Sequence, residues 1–91
     1  MAIGRAERRA GRRTKVAVLF ADRTDRALDL LELLELAWHD VYGEISPPES
    51  VVDDVLTVSR GTLRGLIRAA RLAVADSRDL NVQASAIRAE S

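Results

Sequence analysis

The stretch that decides the fold reads SPPESVVDDVLTVSRGTLRGLIRAARLAVADS and covers residues 46–77. Four small residues stand in it at a strict spacing of four positions: Gly61, Gly65, Ala69 and Ala73. This spacing places them along one line of a helix, where the missing side-chain bulk lets another helix approach closely. We therefore predict a close helix–helix contact here, either within the chain or across a dimer.

The composition indicates a small all-α protein. The chain has 91 residues, 47% of them apolar, with no cysteine and one each of Phe, Trp and Tyr. A core built from Leu, Val, Ile and Ala favours helices. A chain of this size buries only about 60% of the surface that its unfolded form exposes, and no disulfide can stabilise it. We therefore expect a partner subunit to supply further buried area.

The segment from residue 24 to residue 42 carries apolar side chains over more than half of the helix circumference. An ordinary contact between two helices needs a narrower apolar face, so this helix predicts neighbours on two sides. Gly43 suits the position that follows a helix. Ser46 as N-cap, with Glu49 three positions later, forms the capping-box pattern that starts the next helix.

The short turn between these helices predicts that the second helix folds back on the first. We expect an antiparallel helical hairpin of about residues 15–43 and 47–77, within a domain of residues 15–80. Two copies of this hairpin are then expected to form a four-helix bundle.

In an antiparallel hairpin, the position numbers of any two facing residues add up to nearly the same sum. Four acidic residues of the first predicted helix face basic residues of the second under this condition. The pairs that satisfy this condition are Asp22–Arg71, Asp25–Arg68, Asp29–Arg64 and Glu32–Arg60. Exposed ion pairs contribute up to about 1 kcal/mol each, so they would fix the register more than the stability.

The predicted dimer interface combines the small-residue line with the apolar face of the first helix. Its residues are Gly61, Gly65, Ala69, Ala73, Leu31, Leu34 and Trp38. We predict no catalytic residue and no cofactor.

Three segments leave alternatives open. Residues 15–21 fit either a short strand or the first turns of a long helix, and we favour the helix. The segment Ser59–Thr62 fits a kink or a break in the second helix, because glycine costs about 1 kcal/mol relative to alanine there. Residues 81–91 are expected to form a frayed helix end or a tail.

The charges are unevenly distributed along the chain. Residues 1–15 hold six basic side chains and one acidic one, whereas residues 16–56 hold two basic and ten acidic ones. We predict that residues 1–14 form a flexible basic arm, which serves either as a solubilising tail or as a contact for an acidic protein or nucleic acid. The candidate contact residues are Arg5, Arg8, Arg9, Arg12, Arg13 and Lys15.

The acidic side chains suggest a different function. Glu32 and Glu35 on the first helix, with Glu49 and Asp53 on the second, are candidate metal ligands. This arrangement resembles the all-α nucleoside-triphosphate pyrophosphatases, which hold magnesium with an E-x-x-E motif and an E-x-x-D motif on consecutive helices. The first motif matches, while Glu49 and Asp53 are one residue further apart than the second requires. The resemblance implies a magnesium-dependent hydrolase, and the alternative is a solvated helix face.

A third possibility depends on residues 15–20. If they form a strand after the basic arm, the chain resembles the ribbon-helix-helix DNA-binding proteins, and the resemblance implies a DNA-binding regulator or antitoxin-like protein.

The interpretation that the sequence favours is a small, non-enzymatic interaction and oligomerisation module, a homodimer that presents its basic arm to an acidic partner. The longest apolar run, Val16–Ala21, is far shorter than the roughly 20 residues that span a bilayer, so we expect a cytoplasmic protein without membrane contact.

Overall fold

The computed structural model describes residues 4–90, and within them it contains only helices and turns. The helices are α1 (Arg5–Phe20), a short 3₁₀ turn (Ala21–Arg23), α2 (Thr24–Tyr42), α3 (Glu49–Ser59), α4 (Leu63–Ala75) and α5 (Ser77–Glu90). The all-α prediction is therefore confirmed. Residues 15–20 are helical, as favoured, but they are the last turns of α1 and not the first turns of a long helix, because α1 ends at Phe20 and a 3₁₀ turn separates it from α2.

The antiparallel hairpin of this protein consists of α1 and α2. Arg8, near the start of α1, contacts Glu35 in the second half of α2, while Arg13 contacts Asp25 at the start of α2. The chain reverses at Ala21, which has a positive φ of 50°. The prediction of a flexible arm at residues 1–14 is therefore wrong for residues 5–14, which are helical and packed. Residues 1–3 lie outside the described part of the chain.

The expected hairpin of residues 15–43 and 47–77 is not what the structure shows. The start of α4 lies beside the end of α1, where Gly61 approaches the carbonyl oxygen of Leu19. The end of α4 lies beside the end of α2, where Tyr42 Oη donates to the carbonyl oxygen of Val74 at 2.9 Å. Helix α4 therefore runs in the same direction as α2, and α3 is the connection that makes this possible.

The predicted weak point at Ser59–Thr62 is a complete break between α3 and α4. Arg60 and Gly61 both have positive φ, at 52° and 77°. Thr62 is the N-cap of α4, and its Oγ1 accepts a hydrogen bond from the backbone N–H of Gly65 at 3.0 Å. The break reverses the chain, which is why the expected register of α2 acids with α4 arginines does not form.

This break divides the line of small residues formed by Gly61, Gly65, Ala69 and Ala73. These residues make their close contacts within the chain. Gly61 belongs to the turn, and Gly65 leaves room for the carbonyl oxygen of Ser59. Ala69 and Ala73 are completely buried in the core. The remaining predicted interface residues, which are Leu31, Leu34 and Trp38, are also buried within the single chain. The close contact exists, but it is intramolecular.

The C-terminal segment forms a helix where a frayed end or tail was expected. Leu80 and Ala84 of α5 are completely buried. Asn81 Nδ2 donates to Asp54 Oδ2 on α3 at 3.0 Å. Leu80 and Ala84 are four positions apart, which is too short a helical pattern to predict this helix. The helix packs on α3, which is distant in sequence. Ser91 lies outside the described residues.

The wide apolar face predicted for α2 is confirmed by its two neighbours, with α1 on one side and α4 on the other. Its predicted end at Gly43 is confirmed too, since Gly43 has φ 73° and donates to the carbonyl oxygen of His39 at 2.8 Å.

The turn between α3 and α4 generates a stability prediction. A Cβ added at Gly61 would lie 2.9 Å from the Leu19 carbonyl oxygen, and Gly43 has a similar φ with nothing within 4 Å. Gly43→Ala should therefore lower the free energy of unfolding by about 1 kcal/mol, and Gly61→Ala by about 2 kcal/mol or more. Urea unfolding of both variants measures this, and equal losses would contradict the close approach.

Candidate functional site

The basic residues of α1 bind the acidic side chains of α2 and α3. Arg8 Nε lies 2.6 Å from Glu35 Oε2, and Arg12 Nη1 lies 2.8 Å from the same oxygen. Arg12 is 3% exposed and Glu35 is 2% exposed, so this contact is a buried ion pair. The alternative to a metal site, a solvated helix face, is therefore wrong at Glu35, because α1 packs on this surface.

The turn before α3 and the start of that helix complete the cluster. Arg12 Nη2 donates to Glu49 Oε2 at 2.7 Å and to Ser46 Oγ at 3.0 Å, and Ser46 Oγ donates in turn to Glu35 Oε2 at 3.0 Å. The predicted capping box is therefore wrong, because α3 begins at Glu49 and Pro48 is its N-cap. We call Arg8, Arg12, Lys15, Glu35, Ser46, Glu49 and Asp53 the ion-pair cluster.

The cluster keeps its carboxylates charged. Burial alone would raise the pKa of Glu35, but hydrogen bonds from Arg8, Arg12 and Ser46 outweigh burial and hold that pKa below its ordinary value. The hydrogen bond from Arg12 lowers the pKa of Glu49 against the smaller effect of burial, and Lys15 adds to it. Both acids therefore contribute to stability while they are ionised.

All four candidate metal ligands have basic partners. Glu35 and Glu49 bind Arg12, Asp53 lies 2.8 Å from Lys15, and Glu32 lies 3.3 Å from Arg9. Among residues 4–90, no three His, Asp or Glu side chains are grouped so that they could hold a metal ion. A divalent cation at these carboxylates would have to displace arginine and lysine.

The candidate contact residues for an acidic partner are mostly engaged within the chain. Arg9 Nη1 lies 2.8 Å from Asp29, and Arg13 Nη2 lies 3.0 Å from Asp25. Together with Arg8, Arg12 and Lys15, five of the six predicted residues form ion pairs, and Arg5 is exposed. Residues 15–20 are helical, so the ribbon-helix-helix strand is absent from the described chain.

Three of the basic side chains that remain available lie together on α4. Arg64, Arg68 and Arg71 are exposed, and none of them forms an ion pair with any residue between 4 and 90. They surround Ile67 on the outer face of the helix. Arg64 and Arg68 were expected to pair with Asp29 and Asp25, but those acids bind Arg9 and Arg13 of α1 instead.

An apolar groove of about 440 Å³ runs between α2 and α4. Its lining residues are Leu30, Leu33, Leu34, Ala37, Ile67, Ala70, Arg71, Val74 and Ala75. Leu33 is 59% exposed and Ile67 is 44% exposed. Five of the nine large apolar side chains left exposed within residues 4–90 lie on α2 or α4. We call this surface the α2–α4 groove.

Each helix within residues 4–90 is too short or too polar to cross a lipid bilayer. Comparison with known protein families, with curated proteins and with solved structures finds no significant match.

The ion-pair cluster generates a prediction for stability and its pH dependence. Glu35→Ala leaves the buried charge of Arg12 without one of its partners, so the free energy of unfolding should fall by about 3–5 kcal/mol. The control Glu90→Ala removes an exposed pair with Arg60 and should cost at most about 1 kcal/mol.

The sign of the pH dependence follows from the lowered pKa values of Glu35 and Glu49. Their contribution is complete above the ordinary glutamate pKa of 4.5, and it is lost as the pH falls through the lower values of the folded protein. Unfolding measured from pH 7 to pH 3 should show this loss, and Glu35→Ala should make it smaller. An unchanged pH profile in that variant would contradict the cluster.

Proposed function

We propose that this protein is a small non-enzymatic interaction module that binds a second copy of itself through the α2–α4 groove. The observation that carries the proposal is the groove itself, which is lined almost entirely by apolar side chains and leaves Leu33 and Ile67 exposed. Burying such a surface against another protein removes it from water, and isolated soluble domains rarely expose large continuous apolar patches.

The pattern of α2 favours a helix as the occupant of the groove. Leu30, Leu33 and Ala37 are spaced by three and four positions, which is the spacing of residues that pack one helix against another. Leu33 projects from the surface, while Ala37 and Ala70 beside it are small. One copy therefore offers both a projecting side chain and a place to receive one.

The charges along α2 favour a second copy as the source of that helix. Leu30, Leu33 and Ala37 form an apolar stripe along α2. The basic residue Arg26 stands at one end of this stripe, and the acidic residue Asp40 stands at the other. A surface that carries both charges at opposite ends can be complementary to itself. In such a dimer α2 and α4 of each copy would form a four-helix contact.

Binding of an acidic partner stays a prediction. The structure favours other residues for that contact than the ones predicted from the sequence. The arginines of α1 would have to leave their carboxylate partners first. Arg64, Arg68 and Arg71 need no such exchange, so an acidic partner is better placed on α4.

The two other functions stay predictions with less support. A magnesium-dependent hydrolase would need the carboxylates of Glu35 and Glu49, which bind Arg12. A DNA-binding regulator of the ribbon-helix-helix type would need a strand at residues 15–20, which are helical.

The test is the solution mass of the wild-type protein and of Leu33→Glu, measured by light scattering over a dilution series. The wild type should be a dimer. Leu33→Glu places a charge in the contact and should raise the dimer dissociation constant roughly 30-fold or more, as expected for a central interface residue.

The matched control is Val18→Glu, which makes the same kind of change at an α1 residue that is 80% exposed and outside the groove. This variant should keep the mass of the wild type, and circular dichroism should show that both variants remain helical. A monomeric wild type, or equal effects of the two variants, would contradict the proposal.

A further inference from the structure

Two oppositely charged side chains stand at the ends of the apolar stripe on α2. Arg26 precedes Leu30, Leu33 and Ala37, and Asp40 follows them. Both charged side chains are exposed, and neither has an ion-pair partner within residues 4–90. They are separated by about four helical turns, so they lie nearly on one line of the helix.

This line distinguishes the two ways in which a pair of α2 helices can pack. In a parallel pair, Arg26 would face Arg26 of the partner subunit and Asp40 would face the partner's Asp40, and both contacts would be repulsive. In an antiparallel pair centred on Leu33, Arg26 faces Asp40 of the partner subunit. Two-fold symmetry repeats this attractive contact at the other end.

On the basis of the proposed self-association, we propose that the two copies pair their α2 helices antiparallel about a two-fold axis at Leu33. Two reciprocal ion pairs between Arg26 and the partner's Asp40 fix this register. In it Leu33 packs against Leu33 of the partner subunit.

The neighbouring charge on this face does not oppose the register. Asp29 lies one turn from Arg26, and its carboxylate is already 2.8 Å from Arg9 Nη1 of the same chain. Its position faces Ala37 of the partner subunit, which carries no charge. Arg71, which also lines the groove without an ion-pair partner among residues 4–90, stands on α4 and not on the α2 stripe. Along α2, the two ends of the stripe therefore supply the charge contacts that determine the orientation of the pair.

Charge reversal tests the register directly. In the Arg26→Asp variant, acid faces acid at both ends of the stripe, and in the Asp40→Arg variant, base faces base. Each single variant should raise the dimer dissociation constant roughly tenfold or more, because two attractive contacts become repulsive. The double variant Arg26→Asp/Asp40→Arg restores both contacts and should return the constant to within about threefold of the wild type.

Mixing the two single variants gives a second readout. A heterodimer of one with the other contains two attractive contacts, so the mixture should dimerise more tightly than either variant alone, which checks that these charges meet across the interface. The weakening in each single variant is what distinguishes the register, because a parallel pair has like charges face to face in the wild type and in both single variants. The control Arg78→Asp makes the same charge change on α5 and should leave the constant unchanged. Sedimentation of the full-length chains measures all of these species.

The outcomes separate this inference from the proposed function. If the wild type dimerises and Leu33→Glu disrupts the dimer, but the reversed variants do not recover in the double variant or in the mixture, the antiparallel register is overturned and self-association stands. A wild type that stays monomeric overturns both.

Discussion

The structure depends on the buried ion pair between Arg12 and Glu35. Two charges that are almost completely removed from water are tolerated only when hydrogen bonds satisfy both groups, and here Arg8, Ser46 and Glu49 supply the additional contacts. Within residues 4–90, every buried side-chain nitrogen or oxygen atom has a hydrogen-bond partner. This one contact brings together α1, α2 and the turn that leads into α3.

The ion-pair cluster also determines which surfaces remain available. By binding the acids of α2, helix α1 covers one side of that helix, and its pairs with α2 and α3 together neutralise five of the six basic residues near the N-terminus. The opposite side of α2 packs on α4 and forms the apolar groove. The arginines of α4 are left without acidic neighbours in the described chain, so the surfaces for partners lie on α2 and α4.

The sequence was sufficient for the local features of the fold but not for the pairing of its helices. The end of α2 at Gly43, the break at Ser59–Thr62 and the need for two neighbours of α2 follow from backbone conformation and apolar patterning. The predicted pairing of α2 with α4 through ion pairs was wrong, because the acids of α2 can pair with the basic residues of α1 as well as with those of α4. Charge alone does not determine which of these two helices binds the acids, whereas the reversal of the chain at Gly61 does.

The groove itself could have been anticipated only in part. The stripe from Arg26 to Asp40, spaced by three and four positions, is visible in the sequence and was not singled out. Its exposure depends on which face α1 covers, and this is a non-local property. Residues 1–14 were expected to form a flexible arm because they show no apolar periodicity, whereas residues 5–14 belong to α1 and ion pairs hold them in place.

Cysteine cross-linking tests the central claim most directly, because the chain contains no cysteine of its own. A two-fold axis at Leu33 brings that position next to itself in the partner subunit, while the two Ala37 positions are separated by about 12 Å along the helices, beyond disulfide reach. Under mild oxidation, Leu33→Cys should form a covalent dimer and Ala37→Cys should not. Equal cross-linking at both positions, or at neither, would contradict the account.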